Sequence, residues 1–107
     1  MTLNEYQSET YRTAGDDNLA VLALGLAGEA GEFADLVKKH IGHGHPLDNV
    51  KAMKELGDQL WYIARAAAKL GYTLNDVAKA NVEKLQKRYP NGFSTAASIN
   101  REESGPA

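Results

Sequence analysis

Leu19-Ala-Val-Leu-Ala-Leu-Gly-Leu-Ala-Gly-Glu-Ala-Gly-Glu-Phe-Ala-Asp-Leu-Val37 is the stretch whose reading decides the fold. Leu19, Leu22, Leu26, Ala30, Phe33 and Val37 recur at steps of three and four, so they share one face of a helix. Gly25, Gly28 and Gly31 interrupt that helix, and each costs up to about 1 kcal/mol relative to alanine. A helix that accepts three glycines is expected to need a close approach there, by another helix or by a ligand. Upstream, Gly15-Asp16-Asp17-Asn18 supplies turn residues and a capping side chain. Downstream the pattern stops near Ile41, and Gly42-His43-Gly44-His45-Pro46-Leu47 has the composition of a loop.

The flanks extend the same reading. Residues from about Leu3 to Thr13 are polar and mildly helical, which predicts a short first helix. Asp48 is placed to cap a third helix from Asn49 to Leu70, with Met53, Leu56, Leu60, Ile63, Ala67 and Leu70 as its stripe and Gly71 as its end. Thr73-Leu-Asn-Asp76 reads as a capping box with an acidic residue in place of the usual Glu or Gln. The fourth helix it opens carries Leu74, Ala78, Val82, Leu85 and Tyr89 on one face and stops before Pro90. No strand pattern and no internal repeat is present. The expected fold is all-α, a four-helix bundle with short connections. Residues 1–93 are expected to form a single helical domain, and 94–107 an irregular tail.

Bulk numbers exclude several function classes. A chain of 107 residues is one small domain. The net charge of -2, from 12 basic and 14 acidic residues, argues against a nucleic-acid polymer as partner, which normally requires a basic surface. Cysteine is absent, which removes disulfides, a thiol nucleophile and cysteine zinc sites. The start lacks the basic and apolar segments of a secretory signal. The most apolar run, Leu19 to Ala27, is well short of the about 20 residues a membrane span needs. The expectation is therefore a soluble, cytoplasmic protein with no membrane partner. A domain this small buries little of its own surface, and Trp61 lies off the main stripe of the third helix, so a homo-oligomer is expected.

The chemistry is carried by acidic residues close to the apolar stripes. Glu29 and Glu32 are three apart on the second helix, as are Glu55 and Asp58 on the third. Side chains at i and i+3 lie side by side, about 5–6 Å between Cβ atoms, so two such pairs on antiparallel helices can meet. Either pair alone also reads as an ordinary solvated face. Four carboxylates brought together repel unless a hard divalent cation lies among them, and oxygen-only ligation favours Mg²⁺, Mn²⁺ or Ca²⁺ over zinc. On the fourth helix Asn81, Lys84 and Arg88 form a row suited to phosphate oxygens, or simply a charged face complementing the helix dipole. Lys38, Lys39 and Arg65 are further candidates for that role. Tyr62, one turn beyond Asp58, is a candidate for contact with a base or ribose, whereas Trp61 reads better as core or interface packing. His43 and His45 sit in a Gly-Pro loop and read as a loop at the site mouth. A di-iron bundle is disfavoured because neither acidic pair is followed by the required histidine.

Gly28-Glu-Ala-Gly-Glu32, Glu55-Leu-Gly-Asp58 with Leu60-Trp-Tyr62, Asn81-Val-Glu-Lys84 and Arg88-Tyr-Pro90, in that order, resemble the MazG-type nucleoside triphosphate pyrophosphohydrolases of the all-α NTP pyrophosphatase superfamily. The resemblance spans roughly Leu19 to Phe93 and is closest to small single-domain members. It implies that Glu29, Glu32, Glu55 and Asp58 hold Mg²⁺, with Mn²⁺ as a substitute, and that Glu29 or Glu32 serves as the catalytic base. It further implies that Asn81, Lys84 and Arg88 grip the phosphates of the substrate, and Tyr62 and Lys39 stand beside them as substrate contacts expected from their own positions. The implied reaction cleaves a (deoxy)nucleoside triphosphate between its α and β phosphates, giving monophosphate and pyrophosphate, in nucleotide-pool control or house-cleaning. The implied assembly is a homodimer or homotetramer. One departure is Gly28, which stands where the family's E-E-x-x-E element has its first Glu. The alternatives are a non-catalytic nucleotide- or metal-binding helical module, or a superfamily relative acting on another substrate such as phosphoribosyl-ATP.

Overall fold

The computed structural model describes residues 1–100 and is helical, with no strand among the described residues. Its elements are α1 (Leu3–Thr10), a 3₁₀ turn (Tyr11–Thr13), α2 (Leu19–His43), α3 (Asn49–Lys69), α4 (Leu74–Arg88) and α5 (Thr95–Ile99). The chain divides into two compact units, Met1–Leu74 and the residues from Asn75 onward.

Local chemistry sets the boundaries of the first unit. Thr2 and Glu5 form a reciprocal capping box at the start of α1, with N–H to oxygen distances of 2.8 and 3.0 Å. The Asn18 carboxamide oxygen accepts from the Ala20 and Val21 N–H groups, and Asp48 accepts from Val50 and Lys51, so α2 and α3 start at the two residues expected to cap them. α2 runs through Gly42 to His43 and stops where Gly44 turns left-handed at φ 72°; the Gly44 and His45 N–H groups then both donate to the Lys39 carbonyl. α3 closes at Gly71, φ 87°, with the Gly71 N–H on the Ala68 carbonyl (3.1 Å) and the Tyr72 N–H on the Ala67 carbonyl (2.9 Å). This is the paired Schellman closure that a left-handed glycine permits.

α3 packs against both α1 and α2. Leu22, Ala64, Ala67 and Leu74 are the buried apolar residues among those described, and three polar ones are buried as well: Gln7, Thr10 and Arg65. The Gln7 amide donates to the carbonyls of Ala64 and Tyr72, both at 3.1 Å, and its oxygen accepts the Leu74 N–H at 3.0 Å. One side chain thus ties α1 to the end of α3 and to the turn that follows. Arg65, 1% exposed, places its guanidinium 4.0 Å from the centre of the Tyr11 ring, donates to Thr10 Oγ1 at 3.3 Å, and forms a two-pronged ion pair with Asp17.

Three expectations need correction. Arg65 was a candidate for phosphate contact; its donors are instead spent inside the α1–α3 seam. The α3 stripe divides: Ala67 is buried and Ile63 half-buried, but Met53 and Leu56 are 60% and 50% exposed because the face toward α2 at that end carries Glu55. The tail expected to be irregular contains α5, whose start is fixed by the Ser94 hydroxyl accepting the Ala97 N–H at 3.0 Å. Residues 101–107 of that tail lie outside the described residues.

In the second unit, α4 ends before Pro90 as its sequence requires. The chain then turns through Gly92 (φ 86°), bringing the Tyr89 and Phe93 rings to 5.3 Å between centres. No helix among the described residues is long and apolar enough to cross a membrane.

Candidate metal and nucleotide site

Glu29 and Glu32 project from α2 and Glu55 from α3, one carboxylate oxygen of each lying within 4.8 Å of the other two. The i, i+3 spacing on α2 puts its pair side by side, and the packing of α3 on α2 supplies the third group. Glu29 Oε2 and Glu55 Oε2 are both buried and have no hydrogen-bond partner. Burial, followed by the charges of Glu32 and Glu29, pushes the Glu55 carboxyl above its ordinary range. Buried acceptors in a folded protein are almost always satisfied, so two unpartnered oxygens within a group of three close carboxylates mark a place for a cation. The donor set is oxygen only, which fits Mg²⁺ or Mn²⁺.

Beside this cluster lies a cavity of about 330 Å³ lined by Thr13, Glu29, Asp58, Trp61 and Tyr62. Glu29 belongs to both the carboxylate group and the cavity wall. Asp58 falls outside the mutually close trio and faces the cavity from the next turn of α3. Tyr6 on α1 is also near it: burial, with the Asp58 charge adding, pushes the Tyr6 phenol up. Tyr62 crosses α2 at Gly25, where an added Cβ would overlap its ring atoms Cε1 and Cζ. The close approach expected of the glycines is therefore real at Gly25, while Gly28 and Gly31 face open space. Trp61 stands edge-on to Tyr62, ring centres 4.9 Å apart and planes at 83°, and its indole N–H donates to Thr13 Oγ1 at 2.8 Å.

The remaining sequence candidates are distributed as follows. Lys39 pairs with Asp35 at 2.8 Å, and Lys38 with the other Asp35 oxygen at 3.1 Å; these two lysines hold the Asp35 carboxyl below its usual range. Asn81, Lys84 and Arg88 belong to α4 in the second unit, Asn81 exposed and the other two half-buried, with Arg88 Nε buried and unpartnered. Thr13 and Trp61 are cavity residues that sequence reasoning did not select. Trp61 adjoins the Glu55–Asp58 motif, which was a usable signal. Thr13 reaches the site only through the packing of α1 and its 3₁₀ turn, for which the local sequence holds no sign.

The family model for the MazG nucleotide pyrophosphohydrolase domain matches residues 18–93. The Gene 37 protein of Mycobacterium phage L5 is 37% identical over 101 residues, covering 85% of this chain and 87% of that protein. No solved structure matches. The matched span takes in the carboxylate trio, the cavity residues of α2 and α3 and the polar row of α4, and the chain belongs to the MazG nucleotide pyrophosphohydrolase family.

Proposed function

We propose that this protein hydrolyses (deoxy)nucleoside triphosphates to the monophosphate and pyrophosphate, with Mg²⁺ as its cofactor and Mn²⁺ as a working substitute. The observation that carries the reading is the pair of buried, unpartnered oxygens on Glu29 and Glu55, set with Glu32 beside a cavity walled by aromatic rings. Glu29, Glu32 and Glu55 hold the cation, and Asp58 completes the acidic set from the cavity side. A divalent cation bound there offsets charge on the phosphate oxygens and acts as a Lewis acid. Glu29, which spans the trio and the cavity, takes the proton of the attacking water, with Glu32 as the other candidate base. The water oxygen bonds to the α-phosphorus, the bond from that phosphorus to the bridging oxygen breaks, and pyrophosphate leaves. Asn81, Lys84 and Arg88 contact phosphates, Arg88 with a free Nε donor and the geometry for two-pronged binding. Tyr62 borders the base or ribose, and Lys39 contributes positive charge along α2.

The active form is a homodimer or homotetramer. Leu24 is 74% exposed and Val50 58%, and with Val21, Met53 and Leu56 they leave apolar surface on α2 and on the first half of α3 that a second copy would cover.

Incubation with Mg²⁺ and a panel of ribo- and deoxyribonucleoside triphosphates, followed by separation of products, tests the activity. Monophosphate and pyrophosphate are the expected pair. Diphosphate with orthophosphate, or no metal-dependent turnover of any nucleotide, overturns the proposal.

A further inference from the structure

Trp61 is the single tryptophan of the chain, and its position is fixed in an uncommon way for a half-exposed ring. The indole N–H donates to the Thr13 hydroxyl, 48 residues away, while the Thr13 hydroxyl donates in turn to the Thr10 carbonyl at 3.3 Å. Thr10 is buried and hydrogen-bonded to the Gln7 carbonyl at 2.6 Å, so the chain of contacts ends in the most firmly packed part of the molecule. On its other side Trp61 meets Tyr62 edge-on, and Tyr62 is confined against Gly25. The two rings form a right-angled corner at the cavity, with Glu29 and Asp58 among its other walls. Thr13 Oγ1 is engaged as both acceptor and donor, its one proton already spent on the Thr10 carbonyl, which makes it a support for the indole.

Resting on the activity proposed above, we propose that the corner formed by Trp61 and Tyr62 is the nucleobase seat and that Thr13 is the positioning residue that sets the Trp61 plane. A cavity of about 330 Å³ lies at the small end of the usual range for ligand sites, about 300–1,000 Å³, which suits one flat ring system with its sugar. Stacking on an indole is tolerant of base identity because every base has a π face. The seat therefore recognises a planar heterocycle as a class, and it adjoins the carboxylates through Glu29, so a seated base leaves its phosphates directed at the cation site. Releasing Trp61 from Thr13 leaves the ring present and its orientation unset, which weakens the hold on the base without touching the reacting phosphate.

Trp61 emission reads this directly, because no other tryptophan contributes. Titration with nucleoside 5′-monophosphates is expected to quench it saturably, and ribose 5-phosphate, which lacks a base, is expected not to. Thr13→Val is expected to raise KM for nucleoside triphosphates by on the order of tenfold with kcat changed less than twofold, and Thr13→Ser to restore KM. Trp61→Phe, which keeps a flat ring, is expected to retain more of the affinity than Trp61→Ala. Equal quenching by ribose 5-phosphate, or an unchanged KM in both Thr13→Val and Trp61→Ala, overturns the seat. Base-dependent quenching in a protein that hydrolyses no nucleotide supports the seat and defeats the activity; hydrolysis with KM indifferent to Trp61 does the reverse. Should Thr13→Val fail to fold, the comparison of Trp61→Phe with Trp61→Ala decides the matter.

Discussion

α3 carries two charged positions ten residues apart, about 15 Å along its axis, Arg65 buried and Glu55 half-buried with one oxygen enclosed, and they are treated in opposite ways. At Arg65 every neighbour answers the charge: Asp17 opposes it, Thr10 accepts from it and the Tyr11 ring lies beneath it. At Glu55 the neighbours are Glu29 and Glu32, which carry the same charge, and one oxygen of Glu55 is buried with nothing to accept from. The pKa directions agree, since Asp17 is held low by the Arg65 guanidinium while Glu55 is pushed high by burial and its acidic neighbours. A buried ion that is satisfied by its own chain stabilises or orients the fold. One left unsatisfied by its own chain is waiting for something from outside.

The largest effect expected of breaking this contrast is on the unsatisfied side. Glu55→Gln keeps the shape and removes the charge. The Lewis-acid contribution of a bound cation is worth several kcal/mol, so turnover should fall by more than about a hundredfold. The melting temperature without divalent cation should stay the same or rise, because one repelling charge has gone. Steady-state kinetics and thermal denaturation on the same preparation check both; a variant less stable than the wild type would mean that Glu55 supports the fold after all. The mirror experiment is Asp17→Ala, which leaves the Arg65 guanidinium buried without its counter-ion. Breaking a buried pair in this way costs about 3–5 kcal/mol, enough to lower the melting temperature of so small a domain by on the order of 15 °C. Chemical denaturation is the direct measurement, and a loss within experimental error would show the pair to be a surface feature.

How each region was legible in the sequence follows from what holds it together. Asn18, Asp48 and Gly71 act on backbone groups two to five residues away, so the ends of α2 and α3 could be read from neighbouring letters. The carboxylates were legible as pairs because i, i+3 spacing is a local property, and the meeting of Glu29 and Glu32 with Glu55 needed only that α2 and α3 be antiparallel neighbours. Arg65 with Asp17, Trp61 with Thr13 and Gln7 with Leu74 join residues far apart in sequence. Nothing near any of these six residues announces its partner. Arg65 could accordingly stand among the further candidates for phosphate contact until Asp17, Thr10 and Tyr11 were found around it. Met53 and Leu56 were misplaced for a related reason: helical spacing identifies a face, but not which neighbour, or whether any, covers it.

Divalent cation should sharpen the contrast from the other side. Ligand that binds only the folded state stabilises it by about 2.7 kcal/mol at a hundredfold excess over its dissociation constant. Thermal denaturation with and without Mg²⁺ should therefore show a rise in the wild type and in Asp17→Ala, and little or none in Glu55→Gln. An equal rise in all three proteins would place the binding of Mg²⁺ away from the trio.

The smallest effect expected is the contribution of Asp17 to the acid limb of the stability curve. The Asp17 carboxyl has a folded pKa lowered from its unfolded value, with the hydrogen bond from Arg65 as the largest cause. A lowered acid binds its proton less readily when folded than when unfolded, so its contribution is complete above the unfolded pKa of about 3.9. As pH falls below that value the unfolded chain takes up the proton first, and the contribution drains away until the folded pKa has been passed. Asp17→Asn has no proton to take up. Its stability, measured by urea denaturation at a series of pH values, should lie below that of the wild type at pH 7 and converge on it toward the acid end. Parallel curves would mean that the Asp17 charge is not what Arg65 holds, and that the seam rests on Thr10 and the Tyr11 ring instead.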